Sequence, residues 1–216
     1  MDLTVFGATG GIGGRLVRQA LAAGHTVTAV VRDASRFDPG ADADRAGLRV
    51  VVVPDLAAPG VLPPVVAGRD AVLSALGPTG RKQVGIATAG TGAILDAMAA
   101  TGVGRIVVVS AAPVGPVSPD DGLLQRAVAY PLLRAILKDV YADLARMEQL
   151  LHAGGTAWTA LRPPRLTDGP LTGHYRTAVG GPVANGRTIS RADAAHAMLA
   201  ALDAPETYKQ PLGIAY

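Results

Sequence analysis

Three glycines near the N-terminus have the spacing of a loop that binds phosphate groups. Gly7, Gly10 and Gly13 follow an apolar run that ends at Phe6, and an amphipathic segment begins at Arg15. The first glycine allows a sharp turn, the second lets a pyrophosphate approach the backbone, and the third lets a helix pack closely on a sheet. Backbone amides at the start of the helix would then point at the phosphates. The amides concerned belong to Thr9, Gly10, Gly11 and Ile12.

The surroundings of this loop decide between two interpretations. The apolar run Leu3 to Phe6 predicts a strand before the loop, Arg15 to Ala23 predicts a helix after it, and Thr26 to Val31 predicts a second strand. A strand, glycine loop, helix and strand in about 30 residues are typical of a nucleotide-binding unit. We therefore expect dinucleotide binding rather than the alternative, a glycine turn with a structural role only.

The residues that follow the second strand indicate which dinucleotide is bound. An acidic residue there favours NAD because it holds the ribose 2′-hydroxyl, whereas arginine favours NADP. Arg32 occupies this position, Asp33 follows it, and Arg36 adds a second cation. A guanidinium can hold a 2′-phosphate with two parallel hydrogen bonds. The sequence predicts NADP as cofactor, and the alternative is that both arginines are solvated loop charges.

Composition limits the class of protein. The chain has 216 residues, 49% of them hydrophobic, 17% of them charged and none of them cysteine, with a net charge of +3. These values predict a single globular domain without disulfides, and the dispersed basic residues give no reason to expect nucleic acid or a membrane as partner. With no room for a signal peptide before Leu3 and no apolar run of membrane-spanning length, we expect a cytoplasmic protein that acts on a small molecule. The oligomeric state stays open.

Strands alternate with helices along the rest of the chain. This order predicts one α/β domain over residues 1–216, a doubly wound Rossmann-type fold with a mostly parallel sheet. Further strands are predicted at Leu48–Val53, Ala71–Leu76, Ile106–Val109, Trp158–Leu161 and Leu212–Ala215. Helices are predicted at Pro59–Val66 (short), Val84–Ala100 after the basic pair Arg81 and Lys82, Leu123–Leu151 with a bend near Pro131, and from Ser190 as N-cap to Leu202. Residues 163–189 are rich in Gly, Pro and Thr and are interpreted as a substrate loop with one short strand near Tyr175–Val179.

Ligands of such a sheet bind at the carboxyl ends of the strands. The small and apolar residues Ala75, Leu76 and Gly77 suit contact with a nucleotide. Asp55, followed by Leu56, either binds an adenine amine or caps a turn. The remaining candidates at this edge are Ser110, which ends the fifth strand, and Pro163, which follows the sixth. A lone serine without an identified base is weak evidence for a nucleophile.

Several segments together resemble the atypical short-chain dehydrogenase/reductases, and within them the NmrA-like group and its biliverdin reductase B (flavin reductase) type. They are the GATGGIG opening, VRD after the second strand, SALG at the fourth, the serine after the fifth, an E-x-L-L-x-x-x-G-x-x-W-T-x-x-R-P segment from Glu148, and PLTGHY at Pro170–Tyr175. The resemblance implies an NADPH-dependent reductase with an open site for a flat conjugated acceptor. It also implies that Ser110 lies near the nicotinamide, where it donates a hydrogen bond or orders a water.

The chain departs from the wider superfamily at its usual Tyr-x-x-x-Lys pair. Counting back from Glu148, the lysine position holds Leu144 and the tyrosine position holds Val140, while Tyr141 is about 100° away around the helix. Val140 and Leu144 continue into an apolar stripe that indicates core packing. The absent pair agrees with the biliverdin reductase B type. It also leaves two alternatives open: an NmrA-like regulator that binds NADP without turnover, and an isomerase or cyclase on the same fold.

Overall fold

The computed structural model describes residues 1–38, 40, 46–78, 84–123 and 125–216, so Arg81 and Lys82 lie outside the described residues. An eight-stranded sheet forms its centre. Its strands are β1 Asp2–Phe6, β2 Thr26–Val31, β3 Leu48–Val52, β4 Ala71–Ser74, β5 Arg105–Val109, β6 Ala157–Arg162, β8 Arg176–Val179 and β10 Gln210–Ala215. They lie in the order β3-β2-β1-β4-β5-β6-β10-β8, and every neighbouring pair is parallel except β10 and β8, which are antiparallel. A separate parallel pair joins β7 Arg165–Thr167 to β9 Thr188–Ser190. The predicted doubly wound α/β fold is confirmed.

Helices cover both faces of the sheet. They are α1 Gly13–Ala22, α2 Pro63–Val66, α3 Ile86–Thr101, α4 Tyr130–Ile136, α5 Lys138–Ala153 and α6 Arg191–Ala200. One buried cluster joins β1 to α1 and α6 on one face, and a second joins β5 and β6 to α3 and α5 on the other. This arrangement explains the continuous apolar runs of the central strands, because a parallel sheet covered on both faces has no solvated side. Among the described residues, no helix combines the length and the hydropathy that a membrane crossing requires.

The helical region and the segment 163–189 differ in detail from the expectations. The helical region changes from the π-helical segment Gln125–Ala129 to α4 beside Pro131. A further break, which the sequence did not predict, falls at Leu137, between α4 and α5. The segment 163–189 is also more regular than a loop with one strand, because it contains β7, β8 and the start of β9.

Candidate cofactor and substrate site

The glycine loop has the geometry expected for phosphate binding. Gly7 has a positive φ of 74°, and a Cβ there would lie 2.6 Å from the carbonyl oxygen of Ala75. The Gly10 amide donates to the Gly7 carbonyl at 2.9 Å and closes the turn. A Cβ on Gly13 would overlap the Gly7 carbonyl. Gly7 and Gly13 are therefore required by a close approach of backbone to backbone, whereas a Cβ on Gly10 would lie 3.2 Å from the Gly7 carbonyl oxygen.

A cavity above this loop collects most of the residues predicted to bind the cofactor. It follows the carboxyl ends of β1, β2 and β4 and extends to Leu56. The predicted residues on its walls are Gly7, Thr9, Gly10, Arg32, Arg36, Leu56, Ala75, Leu76 and Gly77. Gly11 and Ile12 belong to the same loop but do not line the cavity. The strand ends thus bring together residues that are far apart in sequence, as the doubly wound fold requires.

The cations after β2 are available for an anion. Arg32 and Arg36 are exposed, and neither side chain has a hydrogen bond or ion pair with a described residue. The neighbouring carboxylate is engaged locally, since Asp33 accepts hydrogen bonds from the amide and the hydroxyl of Ser35 at 2.9 and 2.7 Å. These hydrogen bonds lower the pKa of Asp33. The side chain that would hold a free ribose in an NAD site therefore caps the short 3₁₀ turn of residues 34–36.

Asp55 and Pro163 have positions that differ from the rest of the predicted cofactor set. The Asp55 carboxylate accepts the Ala57 amide at 2.9 Å, which is the turn-capping arrangement of the two considered from sequence. Pro163 lines a different cavity, and its carbonyl accepts the Ala112 amide at 2.9 Å.

This second cavity lies at the carboxyl ends of β5 and β6. Its volume is about 680 Å³, which is within the usual range for small-molecule sites. Leu133, Leu137 and Tyr141, spaced four residues apart, form one wall. The other lining residues are Ala111, Ala112, Pro113, Gly122, Tyr130, Pro163, Pro164, Arg165, Gly186 and Arg187. The walls are mostly apolar, and none of these residues is acidic.

The charged groups of this cavity are two arginines at the beginnings of neighbouring strands. Arg165 begins β7 and is paired in register with Thr188 of β9, the residue after Arg187. Both arginine side chains are exposed, and neither has a hydrogen bond or ion pair within the described part of the chain. The cavity is therefore apolar along its walls and positive at one side.

The position of the usual tyrosine–lysine pair is packed into the core. Leu144 is buried and Val140 packs against the same cluster, as the apolar stripe predicted. Tyr141 lines the second cavity, where burial raises the pKa of its hydroxyl and the charge of Arg134 opposes that rise. The Arg134 guanidinium donates to the carbonyls of Pro113 and Gly115, at 3.0 and 2.7 Å. Tyr141 therefore lacks the lowered pKa that an adjacent lysine provides to a catalytic tyrosine.

Ser110 lies at the end of β5 as predicted, but its hydroxyl is part of a buried network. Its Oγ donates to Oε1 of Glu148 at 2.5 Å, and the serine is only 4% exposed. Glu148 also accepts two hydrogen bonds from the guanidinium of Arg162, one of them from Nε at 3.0 Å. The Ser110 hydrogen is thus already donated to a carboxylate.

Sequence reasoning missed the roles of this network and of a second one around Asp193. Glu148 and Arg162 were visible only as markers of the E-x-L-L and R-P motifs. Asp193 was visible only as the third residue after the N-cap Ser190, and that capping bond forms at 2.9 Å. No periodicity connects Glu148 with Ser110, since the contact spans 38 residues and two elements.

Comparison with known proteins identifies the family. The model of a family described as NAD(P)H-binding matches residues 7–205. The chain belongs to this NAD(P)H-binding family. A curated relative from a Streptomyces species, a 3-diazoavenalumate denitrifying reductase, is 38% identical over 196 residues. The match covers 82% of this chain and 59% of that relative, so the chain spans less than two thirds of the relative's length.

Solved structures share the fold of this chain. A short-chain dehydrogenase/reductase from Veillonella parvula in complex with NADP has a TM-score of 0.80 at 19% identity, covering 100% of this chain and 94% of that one. A candidate NADH-flavin reductase from Streptococcus pneumoniae has a TM-score of 0.78 at 23% identity, covering 100% and 99%. At these identities the two structures bear on the fold alone. The family match gives a nicotinamide dinucleotide as the cofactor class and an oxidoreductase-type fold.

Proposed function

We propose that the protein is an NADPH-dependent reductase of the atypical short-chain dehydrogenase/reductase type. It would transfer hydride to a small conjugated acceptor, such as a flavin, a quinone, a tetrapyrrole-like compound or a biosynthetic carbonyl compound. The observation that carries the proposal is the apolar cavity of about 680 Å³ at the ends of β5 and β6, on the same edge of the sheet as the glycine loop. Bound NADPH supplies the hydride, and the protein supplies position and exclusion of water.

The chemistry around the cavity favours an acceptor that delocalises the incoming charge. A simple ketone needs a strong acid to stabilise the developing alkoxide, and the tyrosine–lysine pair that usually provides it is absent. Tyr141 lines the cavity, but burial raises its pKa and makes it a weaker acid. A conjugated acceptor needs less help, because the charge spreads over the ring system. Flat acceptors also fit apolar walls built by Leu133, Leu137 and Pro113.

Two further preferences follow from unpaired cations. The exposed guanidinium groups of Arg32 and Arg36, beside an Asp33 whose carboxylate is hydrogen-bonded to Ser35, support NADPH over NADH. Arg165 and Arg187 support an acceptor with an anionic group, because no carboxylate among the described lining residues neutralises them. The name of the Streptomyces relative supports reductase chemistry in general.

In this proposal Ser110 acts on the reaction through Glu148 and Arg162 rather than as an independent acid. Its hydroxyl is buried and donates to the carboxylate, so it fixes the end of β5 beside Ala111 and Ala112, which line the cavity. The hydroxyl oxygen still has a lone pair with which it can accept a hydrogen bond. Ser110 is therefore a positioning residue.

The experiment is a steady-state assay that follows NADPH absorbance with FMN, riboflavin, a quinone, a linear tetrapyrrole and a simple ketone. We expect the conjugated acceptors to exceed the ketone, and FMN to exceed riboflavin, which lacks the phosphate. Arg165→Gln and Arg187→Gln should raise the KM for FMN and leave that for riboflavin unchanged. A ketone as the best substrate would refute the proposal. NADPH binding without oxidation by any acceptor would favour the regulator or the isomerase, for which the missing tyrosine–lysine pair is the supporting observation.

A further inference from the structure

Two arginines and one carboxylate form a cluster beside Gly11 of the glycine loop. Arg15 of α1 donates from Nη1 to the Gly11 carbonyl at 2.7 Å and approaches Oδ1 of Asp168 with Nη2 at 3.4 Å. Arg191, the first residue of α6, places its own Nη1 3.0 Å from the same Asp168 oxygen. Two cations from distant parts of the chain therefore converge on one oxygen atom beside the predicted phosphate site. We call Arg15, Asp168 and Arg191 the clasp.

The geometry of Gly11 shows how closely the clasp approaches the loop. A Cβ at this position would lie 2.6 Å from Cδ and 3.0 Å from Nε of Arg191. Gly11 has a negative φ, so the backbone conformation does not require glycine here. The Arg191 side chain takes the space that a side chain at position 11 would fill. A guanidinium thus lies beside an amide predicted to face the cofactor diphosphate.

The charges of the clasp are not balanced. One carboxylate faces two guanidinium groups, and its side chain is 75% exposed, whereas those of Arg15 and Arg191 are 27% and 31% exposed. An exposed ion pair of this kind holds its partners weakly. A diphosphate carries more negative charge than the Asp168 carboxylate and offers more oxygens, and arginine forks bind phosphate oxygens well. A diphosphate at the loop would therefore compete with Asp168 for both arginines.

We propose that Arg191 and Arg15 bind the diphosphate of the cofactor, and that Asp168 occupies them until the cofactor arrives. Cofactor binding then weakens the contact between Asp168 and α6. Asp168 follows β7 directly, and Arg191 follows β9 directly; these two strands position Arg165 and Arg187 at the substrate cavity. The clasp therefore connects occupancy of the cofactor site to the strands beside the substrate. This inference depends on dinucleotide binding and is independent of hydride transfer.

The first test is calorimetric titration of Arg191→Gln with NADPH, NADH, ADP-ribose and 2′-AMP. Loss of a charge-assisted contact to the diphosphate should weaken the binding of NADPH, NADH and ADP-ribose by about tenfold. The affinity for 2′-AMP, which has no diphosphate, should stay unchanged. Arg146→Gln is the matched control, because it removes an exposed arginine of α5 that lines neither the cofactor cavity nor the second cavity. Equal affinities of Arg191→Gln and wild type for ADP-ribose would overturn the proposal.

The second test removes the competing carboxylate. Asp168→Asn should tighten the binding of NADPH and ADP-ribose by a few fold, since the exposed side chain at position 168 no longer competes for the two arginines. In wild type, NADPH should speed hydrogen exchange of the amides just after Asp168, and in Asp168→Asn these amides should exchange fast without cofactor. Weaker NADPH binding by Asp168→Asn would contradict the competition. If Arg191→Gln fails to fold by circular dichroism, Arg191→Lys keeps the charge, and intermediate loss of ADP-ribose affinity is expected.

Discussion

Asp193 holds the segment between β7 and β8 on α6, and its replacement by asparagine should lower stability in a pH-dependent way. The carboxylate is fully buried and accepts the amides of Thr172 and Gly173, both at 2.9 Å. It also accepts hydroxyls from Thr172 at 2.8 Å, Tyr216 at 2.5 Å and Ser190 at 3.1 Å. Burial by itself would raise the pKa of Asp193, but these hydrogen bonds outweigh it and lower the pKa to about 2.

The magnitude follows from the difference between the folded and unfolded pKa values. A fall from the ordinary 3.8 to about 2 corresponds to about 2 kcal/mol of stability above pH ~5. Because the folded pKa is lowered, this contribution is complete above the unfolded pKa and is lost as the pH falls through 3.8 towards 2. Asp193→Asn should therefore lower the free energy of unfolding by at least about 2 kcal/mol at pH 7. The deficit should shrink towards pH 2.

The assay is urea unfolding followed by circular dichroism at pH 7, 5, 4 and 2.5. Asp96→Asn is the matched control, because Asp96 is exposed and makes no hydrogen bond with a described residue. It should change the free energy of unfolding by less than about 0.5 kcal/mol at every pH. An Asp193→Asn deficit of the same size at pH 7 and pH 2.5 would show that the loss comes from packing alone. That result would refute the assignment of a lowered pKa to the carboxylate.

The remaining predictions concern the choice of cofactor, the source of the proton in the reaction, and the contribution of Glu148 to stability. Calorimetry should show tighter binding of NADPH than NADH, and Arg32→Asp should remove about 1.5–3 kcal/mol of the NADPH affinity; an unchanged preference would contradict the NADP assignment. Tyr130→Phe and Tyr141→Phe should each keep turnover within about tenfold, whereas a loss of several hundredfold with folding intact would identify a general acid. Ser110→Ala should slow turnover modestly with NADPH affinity unchanged. Glu148→Gln should lower the free energy of unfolding by about 1.5–3 kcal/mol, measured in urea, because it removes the charge that pairs with the partly buried Arg162.

The sequence predicted the elements that depend on short-range pattern. The predicted strand Thr26–Val31 agrees with β2 at both ends, because Gly24 and Arg32 bound the β-branched run closely on either side. The N-cap of α6 was also predictable, since Ser190 and Asp193 have the local spacing of a capping pair. The break at Leu137 was not predictable, because no glycine or proline marks it in the sequence.

The grouping of the candidate cofactor residues in one cavity was predictable for a related reason. In a parallel sheet the carboxyl ends of the strands lie on one edge, so knowing where a strand ends is enough to place the next residue at that edge. This rule brought Arg32, Leu56 and Ala75 to one cavity with the glycine loop. It says nothing about the direction of a side chain. The engagement of Ser110 with Glu148, and of Asp168 with Arg191, depends on packing between elements that no spacing in the sequence records.

Helix α5 differs from the corresponding helix of a tyrosine–lysine enzyme in what its side chains contact. Its Val140 and Leu144 face the core, so the positions that would hold the acid and its cation contribute to packing with Trp158 and Ile94. Tyr141 of α5 lines the second cavity, together with Leu133 of α4 and Leu137 between the two helices. Restoring the pair by Val140→Tyr and Leu144→Lys would bury a cation in an apolar cluster, which is costly without a partner. The positions of the proton donor and its cation thus serve core packing, and the proposed function therefore favours an acceptor that delocalises the incoming charge over one that needs a strong acid.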